Sequence, residues 1–262
     1  MINLQYLDLP YRIVVYVMTG MFGAVLASFF TCMGSRIAEG KDWIKARSIC
    51  DACKHELGVM DLVPVFSYLF HKGKCKYCGA KIPVSCILGE IAMAVYAILC
   101  VMKYGLSIEA LRYILLSGLL LGLSVVDLAT FEIPDGFIIA GIVIWLLSVP
   151  FMPWGWLEEL KRGLIGGFGI GGGMLVASLI MDRILKKDSL GGGDIKLYFM
   201  TGLYMGILTG FFNLILSCLI GIVFVVVMKK DKIPFGPAIS IATAFSVLYG
   251  SNIVNLYLSL FM

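Results

Sequence analysis

The chain has 262 residues, of which 60% are hydrophobic and only 15% charged, and its mean hydropathy is +0.95. A soluble domain is about half apolar and about a quarter charged. These values exclude an ordinary soluble domain and indicate an integral protein of the lipid bilayer, and the modest net charge of +4 gives no reason to expect a nucleic-acid partner.

Apolar runs along the chain predict an all-α polytopic membrane protein, because a helix needs about 20 apolar residues to cross a bilayer. We predict eight spans, at residues 13–34, 86–104, 110–127, 136–152, 163–182, 195–207, 209–228 and 236–259. The sixth span is short, and an arrangement of seven spans that merges or drops it stays open. No basic region followed by a small-residue cleavage site precedes the first span, so we expect that span to be retained.

Positive charge is distributed unevenly between the two predicted membrane faces. The odd-numbered loops and their flanks hold 16 of the 21 Lys and Arg residues, and the other face holds Arg12, Lys103, Arg112, Lys161 and Arg162. Cytoplasmic loops carry an excess of Lys and Arg. We therefore expect the N-terminus outside the cell and the odd loops in the cytoplasm.

The longest polar segment, residues 35–85, separates the first span (1–34) from the remaining membrane domain (86–262). It contains two C-x-x-C pairs, Cys50 with Cys53 in "CDAC" and Cys75 with Cys78 in "CKYC". Two such pairs about 20 residues apart are a strong signature of a zinc site. Four thiolates leave zinc no open position, so we expect a structural metal that folds this cytoplasmic loop. His55 and His71 are alternative ligands, but we interpret them as exposed loop residues.

Acidic residues cluster at the ends of spans on the predicted cytoplasmic side: Asp127, Asp135, Asp182, Asp188 and Asp194. Asp135 is interpreted as the N-cap of the fourth span, and Asp182 and Asp188 as solvated charges. Asp127 and Asp194 come from distant parts of the chain and meet if the third and sixth spans pack together. Two adjacent carboxyls share one proton and can activate a water molecule without a cofactor. The alternative for Asp194 is a helix cap.

Three glycines precede Asp194 in "SLGGGDIKLY", which is more than a helix cap requires. Glycine lets another backbone approach closely, so the three glycines predict that a backbone, such as that of a substrate, passes close to Asp194. The glycine-rich fifth span, "GLIGGFGIGGGMLVASLI", favours close helix packing, with a flexible gate as the alternative.

Several blocks of the chain together resemble the type IV prepilin peptidases, the bacterial membrane aspartyl proteases with a G-x-G-D motif. These blocks are "GAVLASFFTCMGSRIAEG", the cysteine loop with "DLVP", "VDLATFEIPD", "LGGGDIKL" and "IPFGPAISIA". The resemblance implies that Asp127 and Asp194 are the catalytic pair, that Gly191 and Gly193 belong to the motif, and that the four loop cysteines bind zinc. The first block lacks the asparagine expected there, since the chain has "ASFFTC".

The resemblance also implies a substrate, a membrane and a second reaction. The substrate is a prepilin or pseudopilin with a short basic leader, cut after glycine at the cytoplasmic face of the inner membrane. Many members also methylate the new N-terminus with S-adenosylmethionine. Glu90 is a candidate contact for the substrate or the methyltransfer site, and its alternative is an interfacial carboxylate paired with Lys81.

Three other functions fit some of the same residues. A proton-coupled transporter also uses membrane-embedded acids, but it predicts acids near the middle of spans and repeated halves. A presenilin-type protease shares the G-x-G-D motif but does not account for the cysteine loop. A methyltransferase without protease activity is the third alternative.

Overall fold

The computed structural model describes residues 8–43, 47–50, 52–186, 190–229 and 233–260. Helices dominate it, and within these ranges the only β-structure is two isolated antiparallel bridges, Ile49 with Glu56 and Lys74 with Lys81. The chain forms two compact units, Met1–Ala110 and Leu111–Met262. The predicted all-α class is confirmed. The finer division at residues 34 and 85 stays a prediction.

The first unit contains α1 (Leu9–Ala38), the short α2 (Phe66–Phe70) and α3 (Val84–Tyr104). Small residues bring α1 and α3 together. A Cβ atom on Gly23 would lie 2.7 Å from the carbonyl oxygen of Met93 and 2.8 Å from the Cβ of Ala97. Helices in membranes gain little from the hydrophobic effect, so this close van der Waals contact is what holds such a pair.

The second unit contains almost all of α4, which begins at the unit boundary, and the helices after it. These are α4 (Ile108–Thr130), α5 (Asp135–Ser148), α6 (Trp156–Leu185), α7 (Gly192–Met228), α8 (Gly236–Phe245) and α9 (Ser251–Ser259). A 3-10 turn extends α5 to Phe151, and one π-helical turn, Ser246–Gly250, joins α8 to α9. The glycine-rich helix α6 packs on α7, where a Cβ on Gly202 would lie 2.6 Å from the Gly166 carbonyl oxygen. This contact supports close helix packing as the role of these glycines.

Helix α7 turns back on itself at Gly206. This residue has φ +73° and ψ −178° inside an otherwise helical stretch, a conformation that only glycine adopts without strain. In a straight helix, Tyr198 and Ser217 would be about 28 Å apart. Their hydroxyl oxygens lie 2.5 Å apart instead. Residues 192–205 and 207–228 are therefore two arms of a helical hairpin, in agreement with the predicted separation of the sixth and seventh spans.

Among the described residues, six helices are long and apolar enough to cross a membrane, and α5 with its 3-10 turn (Asp135–Phe151) is a shorter apolar helix. Counting the two arms of α7 separately and adding α5 gives one apolar helix at each of the eight predicted spans, but α5 is too short to count among the six candidates. The first arm, residues 192–205, rises only about 21 Å. It is too short to cross a hydrocarbon core of about 30 Å by itself.

Candidate active site and metal centre

Asp127 lies one turn before the C-terminal end of α4, with only 4% of its surface exposed. Its Oδ2 atom accepts a hydrogen bond of 2.7 Å from the backbone N–H of Gly236, the first residue of α8. A Cβ on Gly236 would lie 2.7 Å from the same oxygen. Glycine is therefore the residue that lets the start of α8 approach the Asp127 carboxylate.

Asp194 is the third residue of α7 and is half-buried. Its carboxyl group folds back toward the start of the helix, where a Cβ on Gly191 would lie 3.1 Å from Oδ2. Gly193, the residue before Asp194, packs against Ile133 in the loop that follows α4, so the start of α7 lies beside the end of α4 that carries Asp127. The fold thus brings together the two acids that stand 67 positions apart in the sequence.

The three glycines before Asp194 have different surroundings. A Cβ on Gly193 would lie 2.9 Å from the Cβ of Ile133, in the loop between α4 and α5, so this glycine lets α7 approach the segment that follows Asp127. A Cβ on Gly192 would meet nothing within 4 Å. Admission of a substrate at Gly191 and Gly193 stays a prediction, and Gly193 has a packing role in addition.

Asp135 differs from its predicted role as a helix cap. Pro134 occupies the N-cap position of α5, and Asp135 is the first helical residue. Its Oδ1 accepts a hydrogen bond of 2.7 Å from Lys196 Nζ, and both side chains are more than half exposed. This pair connects the starts of α5 and α7 at the surface, where ion pairs contribute little to stability.

Neither Asp127 nor Asp194 forms an ion pair with any residue in the described ranges. Two neighbouring carboxyls in a largely buried site cannot both ionise cheaply, and such a pair favours the form in which they share one proton. Such a pair can take a proton from water and give one to a carbonyl oxygen. The arrangement therefore has the chemistry of an acid–base pair, and it lies at the ends of helices.

The four loop cysteines converge into one cluster. Their Sγ atoms all lie within 4.8 Å of one another, and the Sγ atoms of Cys50 and Cys78 are 3.8 Å apart. Tetrahedral zinc with Zn–S bonds of about 2.3 Å separates its sulfur ligands by about 3.8 Å. All four cysteines are free thiols, so the cluster fits the predicted zinc ion.

Two turns of the same design present these thiols. In the first turn, the Cys50 amide donates to the His55 carbonyl and the Lys54 amide donates to the Cys50 carbonyl. In the second turn, the Cys75 amide donates to the Ala80 carbonyl and the Gly79 amide donates to the Cys75 carbonyl. Amide groups of Cys53 and Ala52 lower the pKa of the Cys50 thiol to about 7. A thiolate is the form that a metal binds. The local fold therefore favours metal binding at this residue.

The structure also shows the contacts of the other candidate residues in the first unit, Glu90, His55 and His71. Glu90, in α3, accepts a hydrogen bond of 2.7 Å from the Val65 amide, and no described contact pairs it with Lys81. His55 stacks on Tyr77 with ring centroids 3.7 Å apart, and His71 Nε2 lies 3.7 Å from Asp61. Neither histidine belongs to the cysteine cluster. The proposed contact of Glu90 with a substrate or a methyl donor stays a prediction.

A buried ionic cluster in the second unit was not predicted. Arg112 Nη1 donates to Glu159 Oε1 at 2.5 Å, and these side chains are only 1% and 0% exposed. Arg162 Nη2 and Trp154 Nε1 each donate to Glu159 Oε2 at 2.8 Å. In sequence, these residues stand at the ends of apolar runs and are indistinguishable from interfacial charges.

Two protein-family models match the chain. Residues 21–104 match the family model of the bacterial peptidase A24 N-terminal domain, and residues 114–226 match that of the type IV leader peptidase family. No solved structure matches the chain significantly.

Three curated relatives are similar over most of their length. The prepilin leader peptidase/N-methyltransferase of Bacillus subtilis (strain 168) is 29% identical over 92% of this chain and 96% of its own. The enzyme of the same name from Pseudomonas putida is 29% identical over 79% of this chain and 73% of its own. The type 4 prepilin-like proteins leader peptide-processing enzyme of Escherichia coli O78:H11 (strain H10407 / ETEC) is 31% identical over 74% and 72%. The chain is a multi-pass membrane protein that belongs to the type IV leader peptidase family.

Proposed function

We propose that this protein is an aspartyl endopeptidase that removes the short basic leader of prepilins or pseudopilins. The observation that carries the proposal is the convergence of Asp127 and Asp194 at the ends of α4 and α7, without a cationic partner among the described residues. Ionisable residues that are expensive to keep in a membrane protein mark functional sites. The names of the relatives supply the substrate class.

The proposed reaction uses a water molecule between the two carboxyls. Asp127 is the base, because an amide N–H can only donate and the Gly236 amide suits a charged carboxylate. Asp127 takes a proton as the water oxygen attacks the carbonyl carbon, and Asp194 gives its proton to the carbonyl oxygen. As the tetrahedral intermediate collapses and its C–N bond breaks, Asp127 gives its proton to the leaving amine, and a hydroxyl of the intermediate returns a proton to Asp194. A glycine before the cut favours the extended substrate backbone that this attack needs.

We place the reaction at the cytoplasmic face of the membrane. The distribution of Lys and Arg supports this orientation, since the loop after α4 is one of the odd loops and the N-terminus is then outside. Both acids lie within about one turn of a helix end rather than at mid-span. This depth suits a scissile bond between a cytoplasmic leader and a membrane helix, and it favours a peptidase over the proton-coupled transporter.

The proposal is tested with purified Asp127→Asn and Asp194→Asn variants and a substrate that has a basic leader, a Gly–Phe junction and an apolar helix. We expect each variant to lose at least about 1,000-fold in cleavage rate, measured by mass spectrometry of the new N-terminus. The control is Asp135→Asn, which changes another acid at the same end of the unit and should cleave normally. Undiminished cleavage by either catalytic variant would contradict the proposal, as would proton flux through vesicles without any cleavage.

We infer that N-methylation of the product is a second candidate function. A cavity of about 390 Å³ in the first unit supports it, with walls that include Asp61, Tyr68, Tyr77 and Glu90. S-adenosylmethionine would supply a methyl group on a sulfonium, and carboxylates and aromatic rings are suited to its positive charge and its purine. Structural zinc in the adjacent cysteine cluster would hold the wall that carries Tyr77.

Equilibrium binding of radiolabelled S-adenosylmethionine to the purified protein tests the second function independently of catalysis. We expect saturable binding that Ala80→Trp abolishes, because Ala80 lines the cavity and a large ring would fill it. Binding that is unchanged by this substitution would place the methyl donor elsewhere, and no binding would remove the second function.

A further inference from the structure

The segment between the two cysteine pairs exposes an unusual amount of apolar surface. It consists of a 3-10 turn, Val59–Leu62, and helix α2, Phe66–Phe70. Its exposed side chains are Met60 (80%), Leu62 (41%), Phe66 (52%), Leu69 (62%) and Phe70 (80%). A polar loop surrounded by water would rarely leave so many large apolar groups uncovered.

The same segment lies beside the membrane-spanning part of α1. A groove of about 450 Å³ has residues 62–66 on one wall and Gly20, Met21, Ala24 and Val25 on the other. These α1 residues follow its first residue by 11 to 16 positions, which is about 17–24 Å along the helix. Because α1 is about 45 Å long, the groove reaches the level of the middle of the span.

Glu90 holds the turn of this segment against α3. Val65 has φ +64° and ψ −50°, and the Phe66 amide donates to the Pro64 carbonyl at 2.6 Å, which together form a strained γ-turn. The Val65 amide donates to Glu90 Oε2 at 2.7 Å. Glu90 is the seventh residue of α3, about 9 Å below its start. A backbone N–H at such depth needs a partner inside the protein, and Glu90 provides one.

Asp61 holds the start of the segment against the cysteine cluster. Its Oδ2 accepts hydrogen bonds of 3.1 Å from the Gly58 amide and from the Tyr77 hydroxyl. Tyr77 stands between Cys75 and Cys78, so the second metal-binding turn and the segment are directly connected. The segment is thus fastened near its start and at its central turn, while its exposed apolar side chains remain uncovered.

We propose that residues 59–70 form a membrane-inserted segment that places its apolar side chains in a bilayer with anionic headgroups. Lys72, Lys74 and Lys76 follow it and are exposed, which is the charge that anionic lipid attracts. Both ends of the loop continue into spans α1 and α3, so the segment is within reach of the membrane surface. Glu90 is then a positioning residue for this segment, whether or not the protein is a peptidase.

Photo-cross-linking tests the proposal on the intact wild-type protein in vesicles. A phospholipid with a diazirine in its acyl chain is activated by light, and modified peptides are mapped by mass spectrometry. We expect adducts on Met60, Phe66, Leu69 or Phe70 and none on residues 52–56 of the first cysteine turn, with α1 as the positive control. Labelled α1 together with an unlabelled segment would overturn the proposal.

Two variants and two comparisons sharpen this experiment. Glu90→Leu should reduce the adducts severalfold, whereas Glu90→Gln, which retains an acceptor oxygen, should preserve most of them. Labelling should be stronger in vesicles with phosphatidylglycerol than with phosphatidylcholine alone, and equal labelling would overturn the role of charge. Displacement of the adducts by a prepilin substrate would show that the surface is a substrate site instead, and would also overturn the proposal.

Discussion

The second unit handles buried carboxylates in two different ways at the two ends of α4. Near its start, Arg112 pairs with Glu159, which also accepts hydrogen bonds from Arg162 and Trp154. Near its end, about 22 Å away along the helix, Asp127 has only a backbone amide as its described partner and faces a second acid, Asp194. A buried acid with a full set of donors holds a structure together, whereas a pair of acids without a cation is poised for proton transfer.

The ionic cluster also explains how the hairpin of α7 is held. Arg162 donates a hydrogen bond of 3.3 Å to the Tyr204 carbonyl, two residues before the reversal at Gly206. The Cγ atom of Arg162 would lie 3.0 Å from a Cβ on Gly206. The Tyr204 hydroxyl donates to the Gly141 carbonyl at 2.7 Å. The cluster therefore connects α4, α6 and the tip of the hairpin, and the hairpin's other end carries Asp194.

The largest expected effect on stability comes from breaking the ionic cluster. Arg112→Met leaves part of the Glu159 charge unpaired in a fully buried position, so we expect a loss of about 3–5 kcal/mol in unfolding free energy. Thermal unfolding in detergent measures it. The double variant Arg112→Met with Glu159→Leu should recover much of the loss, because Arg162 is 39% exposed and can reach water. A single variant as stable as the wild type would contradict the structural role.

At the C-terminal end of α4, a smaller change of side chain should reduce activity rather than stability. Gly236→Ala places a methyl group 2.7 Å from Asp127 Oδ2 and displaces the amide that binds it. We expect cleavage to fall by about 100-fold, since a displacement of about 1 Å at a reacting group has an effect of that size. Gly136→Ala, in the first turn of α5 with open space around it, is the matched control. Equal rates in the two variants would show that the Gly236 contact is irrelevant to catalysis.

The glycines before Asp194 provide a finer contrast. Gly193→Ala forces a methyl group to within 2.9 Å of the Ile133 side chain, and we expect it to cost about 1–2 kcal/mol in unfolding free energy. Gly192→Ala meets nothing within 4 Å and should change stability by less than about 0.5 kcal/mol. Thermal unfolding of the two variants side by side checks the difference. The reverse order of stabilities would show that α7 does not pack on this loop as described.

The smallest effect on stability and activity is expected from the exposed ion pair between Asp135 and Lys196, beside the candidate active site. Lys196→Ala removes the partner of Asp135, and both side chains are more than half exposed. We expect a change of less than about 1 kcal/mol in stability and a cleavage rate within about twofold of the wild type. A much larger loss of activity would mean that Lys196 acts on the catalytic pair itself.

The sequence predicted the features whose chemistry is local. The spacing of Cys50, Cys53, Cys75 and Cys78 predicts a metal cluster because each pair comes from one tight turn. Apolar runs predicted the helices, including the break between the two arms of α7. The predicted topology put Asp127 and Asp194 at span ends on one face, and the resemblance to a family then singled them out as a pair, because nothing local says which helices pack together.

The features that the sequence did not predict depend on tertiary contacts. The Gly236 amide binds Asp127 through the backbone, and a backbone donor leaves no trace in composition. Arg112 and Glu159 stand at the ends of apolar runs, where a charge normally faces water, and only the packed helices bury them. Asp135 was expected to cap α5, but Pro134 takes that position and frees Asp135 to bind Lys196.

The most direct test measures cleavage and thermal unfolding on the same preparations of Asp194→Asn and Glu159→Gln. The account predicts opposite outcomes. Asp194→Asn should abolish cleavage and unfold at or above the wild-type temperature, since a buried acid without a cation is removed. Glu159→Gln should unfold at a clearly lower temperature and still cleave where it remains folded. Cleavage that survives in Asp194→Asn but is lost in fully folded Glu159→Gln would contradict the account.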